Sequence, residues 1–169
     1  LISGFVILMT AQRRTPRGFL VHRALRLYPS FWVAVILTAT VVTLMGPGPS
    51  DLSLRTIAIN LTMIPGYLGA PYVDGVYWTL AIELKFYAIV FTLMVLGQAS
   101  RAEWWVYAWL AGIAICELGF GGGVLRSLTM SPHGAFFAGG TLCYLVYDKG
   151  WTPSRGVGLA VAAVLGQLS

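Results

Sequence analysis

Long apolar segments are the feature that most restricts the fold of this chain. A helix that crosses a membrane needs about 20 mainly apolar residues, and such segments recur along the sequence with few charges inside them. Hydrophobic residues make up 57% of the chain and charged residues 10%, whereas an ordinary soluble domain carries about 25% charge. So little charge cannot cover a surface that faces water. We therefore predict an all-α fold, a polytopic transmembrane helix bundle with the lipid bilayer as its solvent.

The apolar pattern predicts about five to six spans or part-spans within a single domain that covers residues 1–169. The first and last spans are partial, so we expect a fragment that is truncated at both ends. A further apolar segment, Leu52–Ile64, contains Arg55 and Asn60, and we interpret it as an interfacial or re-entrant helix. Whether it crosses the membrane stays open. The predicted spans are Leu1–Thr10, Tyr28–Gly46, Tyr77–Leu96, Trp104–Phe120, Gly134–Tyr147 and Gly156–Ser169.

Basic residues fall mainly on one side of this predicted topology. If Leu52–Ile64 does not cross, the Gln12–Leu27 loop and the later loops on its side hold nearly all the basic residues outside the spans, and the opposite loops hold Arg55 and Arg126. The positive-inside rule then places Gln12–Leu27 in the cytoplasm of a multi-pass inner-membrane protein. This pattern, and not nucleic-acid binding, explains the net charge of +5. Predicted outer turns are Gly46-Pro47-Gly48-Pro49, Pro65-Gly66 and Gly121-Gly122-Gly123.

Two basic residues stand where the predicted cytoplasmic loop enters a span. Arg23 and Arg26 are three residues apart, so on a helix they share a face, and Tyr28 follows at interface depth. Two guanidinium groups there can fork onto phosphate or carboxylate oxygens. The alternative is a positive-inside anchor with an aromatic belt, without a ligand.

An acidic residue inside the third predicted span is the second candidate. Glu83 costs at least about 2.5 kcal/mol at the membrane centre, and such residues face a bundle interior or a water-filled cavity. Thr79, Glu83 and Tyr87 step by four residues and form one polar stripe. This stripe predicts a site that orients an acceptor hydroxyl or holds a cationic partner. The alternative is a helix-locking ion pair, although Lys85 points away from Glu83 on a helix.

Three segments, taken in order, resemble signatures of the acyltransferase 3 family of membrane proteins. They lie at predicted helix boundaries and cover most of the chain, and a weaker likeness follows in a later helix. For the first segment, close helix packing by small residues is an equally good interpretation. The segments are Ser3-Gly4-Phe5, the Arg23–Arg26–Tyr28–Pro29 run, and Trp78-Thr79-Leu80…Glu83…Phe86-Tyr87, and the weaker one is Phe137…Gly140…Tyr144.

The resemblance implies a bundle of about ten spans that takes an acyl-coenzyme A as co-substrate and has no permanently bound cofactor or metal. It implies an acceptor that is a glycan or another envelope hydroxyl, and a catalytic histidine that we expect upstream of Leu1, so that this fragment is expected to be inactive. Glu83 would have a supporting catalytic role. Candidate donor- and substrate-binding residues are Arg23, Arg26, Tyr28, Trp78, Thr79, Tyr87, Ser3, Gly4 and Phe5.

Other residues and other functions are weaker candidates. His22 and His133 are predicted to be loop or interfacial residues, and Cys116 and Cys143 are predicted to be buried thiols without a disulfide or metal site. A transporter or flippase for an anionic or glycan substrate is the main alternative, because an intramembrane acid and glycine- and proline-rich connections also occur there. A purely structural subunit is the third.

Overall fold

The regular structure of the chain is helical throughout the part that the structure describes. A computed structural model describes residues 1–45, 53–131 and 133–168, and no strand occurs in these ranges, so the all-α prediction is confirmed. Short 3-10 helices cover Pro65–Leu68, Gly75–Tyr77 and Ala99–Arg101. The α-helices are α1 Ile2–Arg13, α2 Pro16–Met45, α3 Leu54–Asn60, α4 Trp78–Val95, α5 Ala102–Glu117, α6 Gly123–Thr129, α7 Gly134–Lys149 and α8 Pro153–Leu168.

Most predicted spans match a helix to within a few residues. The third, fourth, fifth and sixth spans correspond to α4, α5, α7 and α8. The Leu52–Ile64 segment contains α3, whose seven residues rise about 10 Å, a third of a bilayer. The Gly46–Pro49 turn and the segment ends predicted at Gly46, Leu52 and Ser169 lie outside the described residues.

Most of the Gln12–Leu27 segment is helical, with a break at Arg14 and Thr15, and is not the loop that its charges suggested. α1 ends at Arg13, and α2 begins at Pro16 and continues without interruption to Met45. Proline suits the first turn of a helix because its missing N–H would have no helical partner there. Arginine and leucine then favour helix, and burial of Phe19 and Arg23, four residues apart, fixes one face.

The predicted outer turns are also more regular than expected. In the Gly121-Gly122-Gly123 run the first two residues are irregular, but Gly123 begins α6. Trp109 of α5 donates its indole N–H to the carbonyl of Thr129 at 2.8 Å, which ties α6 to α5. Pro65-Gly66 begins a 3-10 helix that ends at Gly69 with φ of 67°, a conformation that favours glycine.

Within the part of the chain that the structure describes, two helical segments are long and apolar enough to cross a membrane. They are Pro16–Met45 and Gly75–Val95, and little of either is buried within the chain. On α2, large apolar side chains such as Val33, Ile36 and Leu37 are exposed. An apolar face of this size suits hydrocarbon better than water.

The chain divides into two compact units. The first comprises Leu1–Pro16 and Ile89–Ser169, and the second comprises Arg17–Ala88. In the first unit α7 is central and packs against α1, α5 and α8. Small residues on several sides of α7 permit this, and they are Gly134, Ala135, Ala138, Gly139 and Gly140.

A close helix contact joins α1 to α7 in the first unit. A Cβ on Gly4 would collide with the carbonyl oxygen of Phe137, and a Cβ on Gly140 would collide with the carbonyl oxygen of Leu1. The ring of Phe5 packs edge-on against Tyr144 with centroids 5.4 Å apart. Glycine on both helices therefore sets their separation, as in small-residue contacts of membrane helices.

A bidentate ion pair joins α5 to α8. Arg155 Nε donates to Glu103 Oε1 at 2.9 Å and Nη2 donates to Oε2 at 2.8 Å. Arg155 Nη1 also donates to the carbonyl of Gly150, so the turn before α8 is included. Parallel N–H donors on a planar guanidinium match a carboxylate. Both side chains lie just before the predicted spans that begin at Trp104 and Gly156.

The second unit is organised around α2 and a buried asparagine. Phe31, Val35 and Ala39 share one face of α2 and pack with Met63 and Tyr77, among others. Asn60 is fully buried. Its amide donates to the carbonyls of Thr56 and Pro71 and accepts from the N–H of Val73, so it holds the segment between α3 and α4 in place.

The α1–α7 contact predicts a difference between two glycines. Gly4→Ala should destabilise the protein by about 1–3 kcal/mol, because the new methyl group meets backbone atoms that cannot move away cheaply. Gly139→Ala is the control, since its Cβ meets chiefly the end of the Leu1 side chain, and should stay within about 0.5 kcal/mol. Denaturant unfolding in detergent measures both, and equal losses would contradict the contact.

The Glu103–Arg155 pair predicts a pH dependence of stability. The hydrogen bonds from Arg155 hold the pKa of Glu103 below its ordinary value of 4.5, although burial opposes them. The pair's contribution is therefore present above the unfolded pKa and is lost as pH falls through the lower folded pKa. Glu103→Gln should lower the apparent melting temperature by about 2–4 °C near pH 7. The difference from wild type should shrink below the ordinary pKa, and a constant difference would refute the assignment.

Candidate functional site

A hydrogen bond between two side chains of α4 is the starting point of the candidate site. The hydroxyl of Tyr87 donates to Oε1 of Glu83 at 2.8 Å. The four-residue spacing on α4 places one side chain above the other, as the sequence predicted. Tyr87 is buried and Glu83 is half-buried. The carboxylate therefore has a fixed protein partner on one oxygen.

A buried arginine of α2 lies against the same tyrosine. Arg23 is 4% exposed, and its guanidinium carbon is 5.5 Å from the centre of the Tyr87 ring and 5.9 Å from that of Phe19. The Phe19 and Tyr87 rings meet edge-on with centroids 6.2 Å apart. Cation–π contacts with two rings stabilise a charge that has left water. We call Phe19, Arg23, Glu83 and Tyr87 the Arg23 cluster.

The Arg23 cluster combines a cation, an acid and a hydroxyl with little surrounding water. Interactions between charges are stronger there than at a wet surface because the effective dielectric is lower. An ionised carboxylate has about four lone-pair positions, so Glu83 can accept from a second hydroxyl or from an imidazole N–H while it holds Tyr87. Arg23 and the ring of Phe19 keep Tyr87 in one orientation.

The two arginines of the second signature have different surroundings. Arg23 is buried, whereas Arg26, three residues later on α2, is exposed. Their shared helix side thus places one guanidinium in the Arg23 cluster and leaves the other accessible to a ligand. Tyr28 is half-buried and packs edge-on against Trp32, with centroids 5.6 Å apart. Trp32 donates its indole N–H to the carbonyl of Leu61.

The first residues of α4 do not join the Arg23 cluster. Thr79 is exposed, and its hydroxyl donates to the carbonyl of Val76 at 2.9 Å, a local bond in the first helical turn. Trp78 is 42% exposed. The predicted polar stripe is therefore reduced to Glu83 and Tyr87. The neighbouring Tyr77 points inward and shares a hydrogen bond of 3.0 Å with Thr38 of α2.

The first signature takes part in helix packing in the first unit. Gly4 lies against the backbone of α7, Phe5 contacts Tyr144 and Tyr147, and Ser3 is half-buried. The hydroxyl of Tyr144 donates to Gln12 Oε1 at 3.2 Å. The Ser3–Phe5 segment and the later Phe137…Gly140…Tyr144 segment are thus the two sides of one contact.

Three partners were missed by the sequence reasoning. Phe19 stands four residues before Arg23, a spacing that could have revealed it. Tyr67 provides a ring 5.4 Å from Lys85 Nζ, and no local pattern connects these residues. Gln12 is the hydrogen-bond partner of Tyr144. The Tyr67 ring is one contact of Lys85, a cation inside the third predicted span.

The histidines and cysteines have modest surroundings. His22 is exposed although its neighbour Arg23 is buried, and His133 is half-buried at the start of α7. Cys116 is buried as predicted, but Cys143 is exposed because it lies on the outer side of α7. Within the described ranges, no group of three or more His, Cys, Asp or Glu residues could hold a metal ion.

Comparison with known proteins gives one match. The family model described as an acyltransferase domain, that of the acyltransferase 3 family, matches residues 1–169. No curated protein and no solved structure matches the chain.

The difference between the two arginines can be tested through stability. Arg23→Ala should cost about 2–4 kcal/mol, because it empties the space beside Phe19 and Tyr87 and removes two cation–π contacts. Arg26→Ala, its matched control, should stay within about 0.5 kcal/mol, since the side chain is exposed. Thermal and denaturant unfolding in detergent measure the pair. Similar losses for both would show that Arg23 is not buried in this way.

Proposed function

Since the chain belongs to the acyltransferase 3 family, we propose that it transfers an acyl group from acyl-coenzyme A to a hydroxyl on the far side of the membrane. The group that we propose is acetyl, and the acceptor is a carbohydrate or another component of the cell envelope. The family is membrane-associated and its domain is an acyltransferase domain, which supports membrane acyl transfer in general. The donor, the acetyl group and the acceptor class are our additions.

The topology that we propose is a polytopic bundle in the inner membrane. Its spans are α1, the later part of α2, α4, α5 from Trp104 onward, α7, and α8 from Gly156 onward, and α3 lies at the interface. The basic segment Gln12–Leu27 would face the cytoplasm as a helix that continues into the bilayer. Such an extension fits the length of α2, whose 30 residues rise about 45 Å, beyond the roughly 30 Å of hydrocarbon.

The exposed Arg26 is the residue that we assign to the donor. Coenzyme A carries phosphate groups, and a planar guanidinium binds phosphate oxygens through paired N–H donors. Arg26 is exposed on α2, at the level where the predicted cytoplasmic segment enters the membrane. Arg23 then acts indirectly, because its guanidinium is occupied by the rings of Phe19 and Tyr87.

The Glu83–Tyr87 pair is the observation that carries the proposal. A half-buried carboxylate with one fixed hydrogen bond can position an acceptor hydroxyl or the imidazole that activates it. In the reaction a general base removes the hydroxyl proton, the oxygen attacks the thioester carbonyl, and the C–S bond breaks to release coenzyme A. The family resemblance implies that the base is a histidine, with Glu83 in a supporting role.

A transfer assay with two variants tests these assignments. Glu83→Gln should lower kcat about 100-fold, because loss of the carboxylate charge misplaces the reacting groups. Arg26→Ala should raise the KM for acyl-coenzyme A about tenfold, with a smaller effect on kcat, because it removes a charged phosphate contact. The measurement is label transfer from acetyl-coenzyme A to envelope glycans, in membranes that contain the protein as its gene encodes it.

The control is an acidic residue of α5 that lies outside the Arg23 cluster. Glu117→Gln removes the same charge, and activity should stay within about twofold of wild type if the effect of Glu83 is local. Wild-type activity in both Glu83→Gln and Arg26→Ala would refute the assignments. Movement of an unmodified glycan or anion without label transfer would favour the transporter alternative.

A further inference from the structure

A groove at the start of α5 is lined by residues that have no part in the proposed acyl transfer. It encloses about 340 Å³ and is lined by Gln98, Arg101, Trp104, Trp105 and Ala108. The residues of α5 and its preceding 3-10 turn are spaced three and four apart, so they form one helix face. Trp104 is 79% exposed and Trp105 is 45% exposed. Two large aromatic side chains at such exposure require an environment that is not water alone.

This face is distinct from the one that α5 turns to the protein core. The core residues of α5 are Ala102, Val106, Leu110 and Ile113, and helical geometry turns the mean direction of this set well over 90° from the mean direction of the groove residues. Glu103, which follows Arg101 by two residues, is engaged by Arg155. This carboxylate therefore does not neutralise Arg101, which is the charged residue in the groove lining, and the groove is positive.

The position of the groove relative to the bilayer follows from the helix before it. The apolar segment Gly75–Val95 rises about 31 Å, which matches the hydrocarbon thickness. Gln98 and Arg101 follow its end within a short turn, so they lie in the headgroup layer whichever way the protein is oriented. The span predicted from Trp104 to Phe120 begins directly after this turn, which places the tryptophans at the interface and Ala108 one turn further into the span.

The groove therefore changes in character from its outer to its inner end. Gln98 and Arg101 supply hydrogen-bond donors and a positive charge, the indoles supply amphipathic rings, and Ala108 supplies a small apolar floor. A phospholipid has the same order of groups: an anionic phosphate, a polar glycerol backbone and an apolar acyl chain. Basic, aromatic-lined pockets at this depth bind lipid headgroups.

We propose that this groove is a binding site for an anionic phospholipid of the surrounding bilayer. Arg101 pairs with the phosphate, Gln98 hydrogen-bonds the headgroup or glycerol oxygens, and Trp104 and Trp105 pack against the first part of the acyl chain. The proposal depends on the membrane position of the groove and on its charge, and it stands independently of the acyl-transfer reaction.

Lipid binding by the purified protein tests the proposal. Native mass spectrometry in neutral detergent gives the dissociation constant of the first bound phosphatidylglycerol. Arg101→Gln should weaken that binding about fivefold to tenfold, since one charged phosphate contact is lost. Arg17→Gln is the matched control, because Arg17 is also exposed and outside the groove, and it should change binding less than twofold.

Two further probes distinguish a phospholipid site from a site for any apolar molecule or any soluble anion. Diacylglycerol lacks the phosphate and should bind at least fivefold more weakly than phosphatidylglycerol. Millimolar inorganic phosphate or coenzyme A should not displace the lipid. Equal effects of Arg101→Gln and Arg17→Gln would overturn the proposal in favour of a general charge effect. Equal binding of diacylglycerol, or displacement by soluble phosphate, would overturn it as well.

Discussion

Polar groups that are buried away from water need hydrogen-bond partners from the protein itself. The all-helical backbone is one result, because a helix satisfies its own N–H and C=O groups. Side chains follow the same rule. The buried amide of Asn60 bonds to three backbone groups, and Tyr87 donates to Glu83. The buried polar residues thus show where the protein interior lies, although apolar residues are common both in the interior and on the outer surface.

The same constraint gives the signature residues different roles. Arg23 has left water and is packed against two aromatic rings, so its charge stabilises and orients the Arg23 cluster. Arg26 keeps its contact with solvent and remains available to a soluble anion. Gly4 has no polar function and allows α1 to approach α7. Residues of the family signatures therefore have different surroundings: Arg26 is exposed, Arg23 is buried against aromatic rings, and Gly4 permits close helix packing.

Much of the fold could be predicted because apolar periodicity is a local property. The bounds of α4, α5 and α7 follow from it, as does the Glu83–Tyr87 bond from its four-residue spacing. The helix over Gln12–Leu27 was missed because charge was taken as a sign of a loop, although arginine and leucine favour helix. Burial of Arg23 depends on Tyr87, which is distant in sequence, and no local pattern contains that contact.

The uninterrupted course of α2 has a mechanical consequence. In the first half of α2, Arg23 contacts Tyr87. In the second half, Thr38 shares a hydrogen bond with Tyr77. The helix is therefore attached at two levels to the segment Gly75–Val95. Pro29 lies between these attachments, and a proline removes one helical hydrogen bond and so marks the least stiff point. Bending at that point would alter the distance between the two attachments. A displacement at the arginine end of α2 would therefore reach the opposite end of the helix through a bend at Pro29.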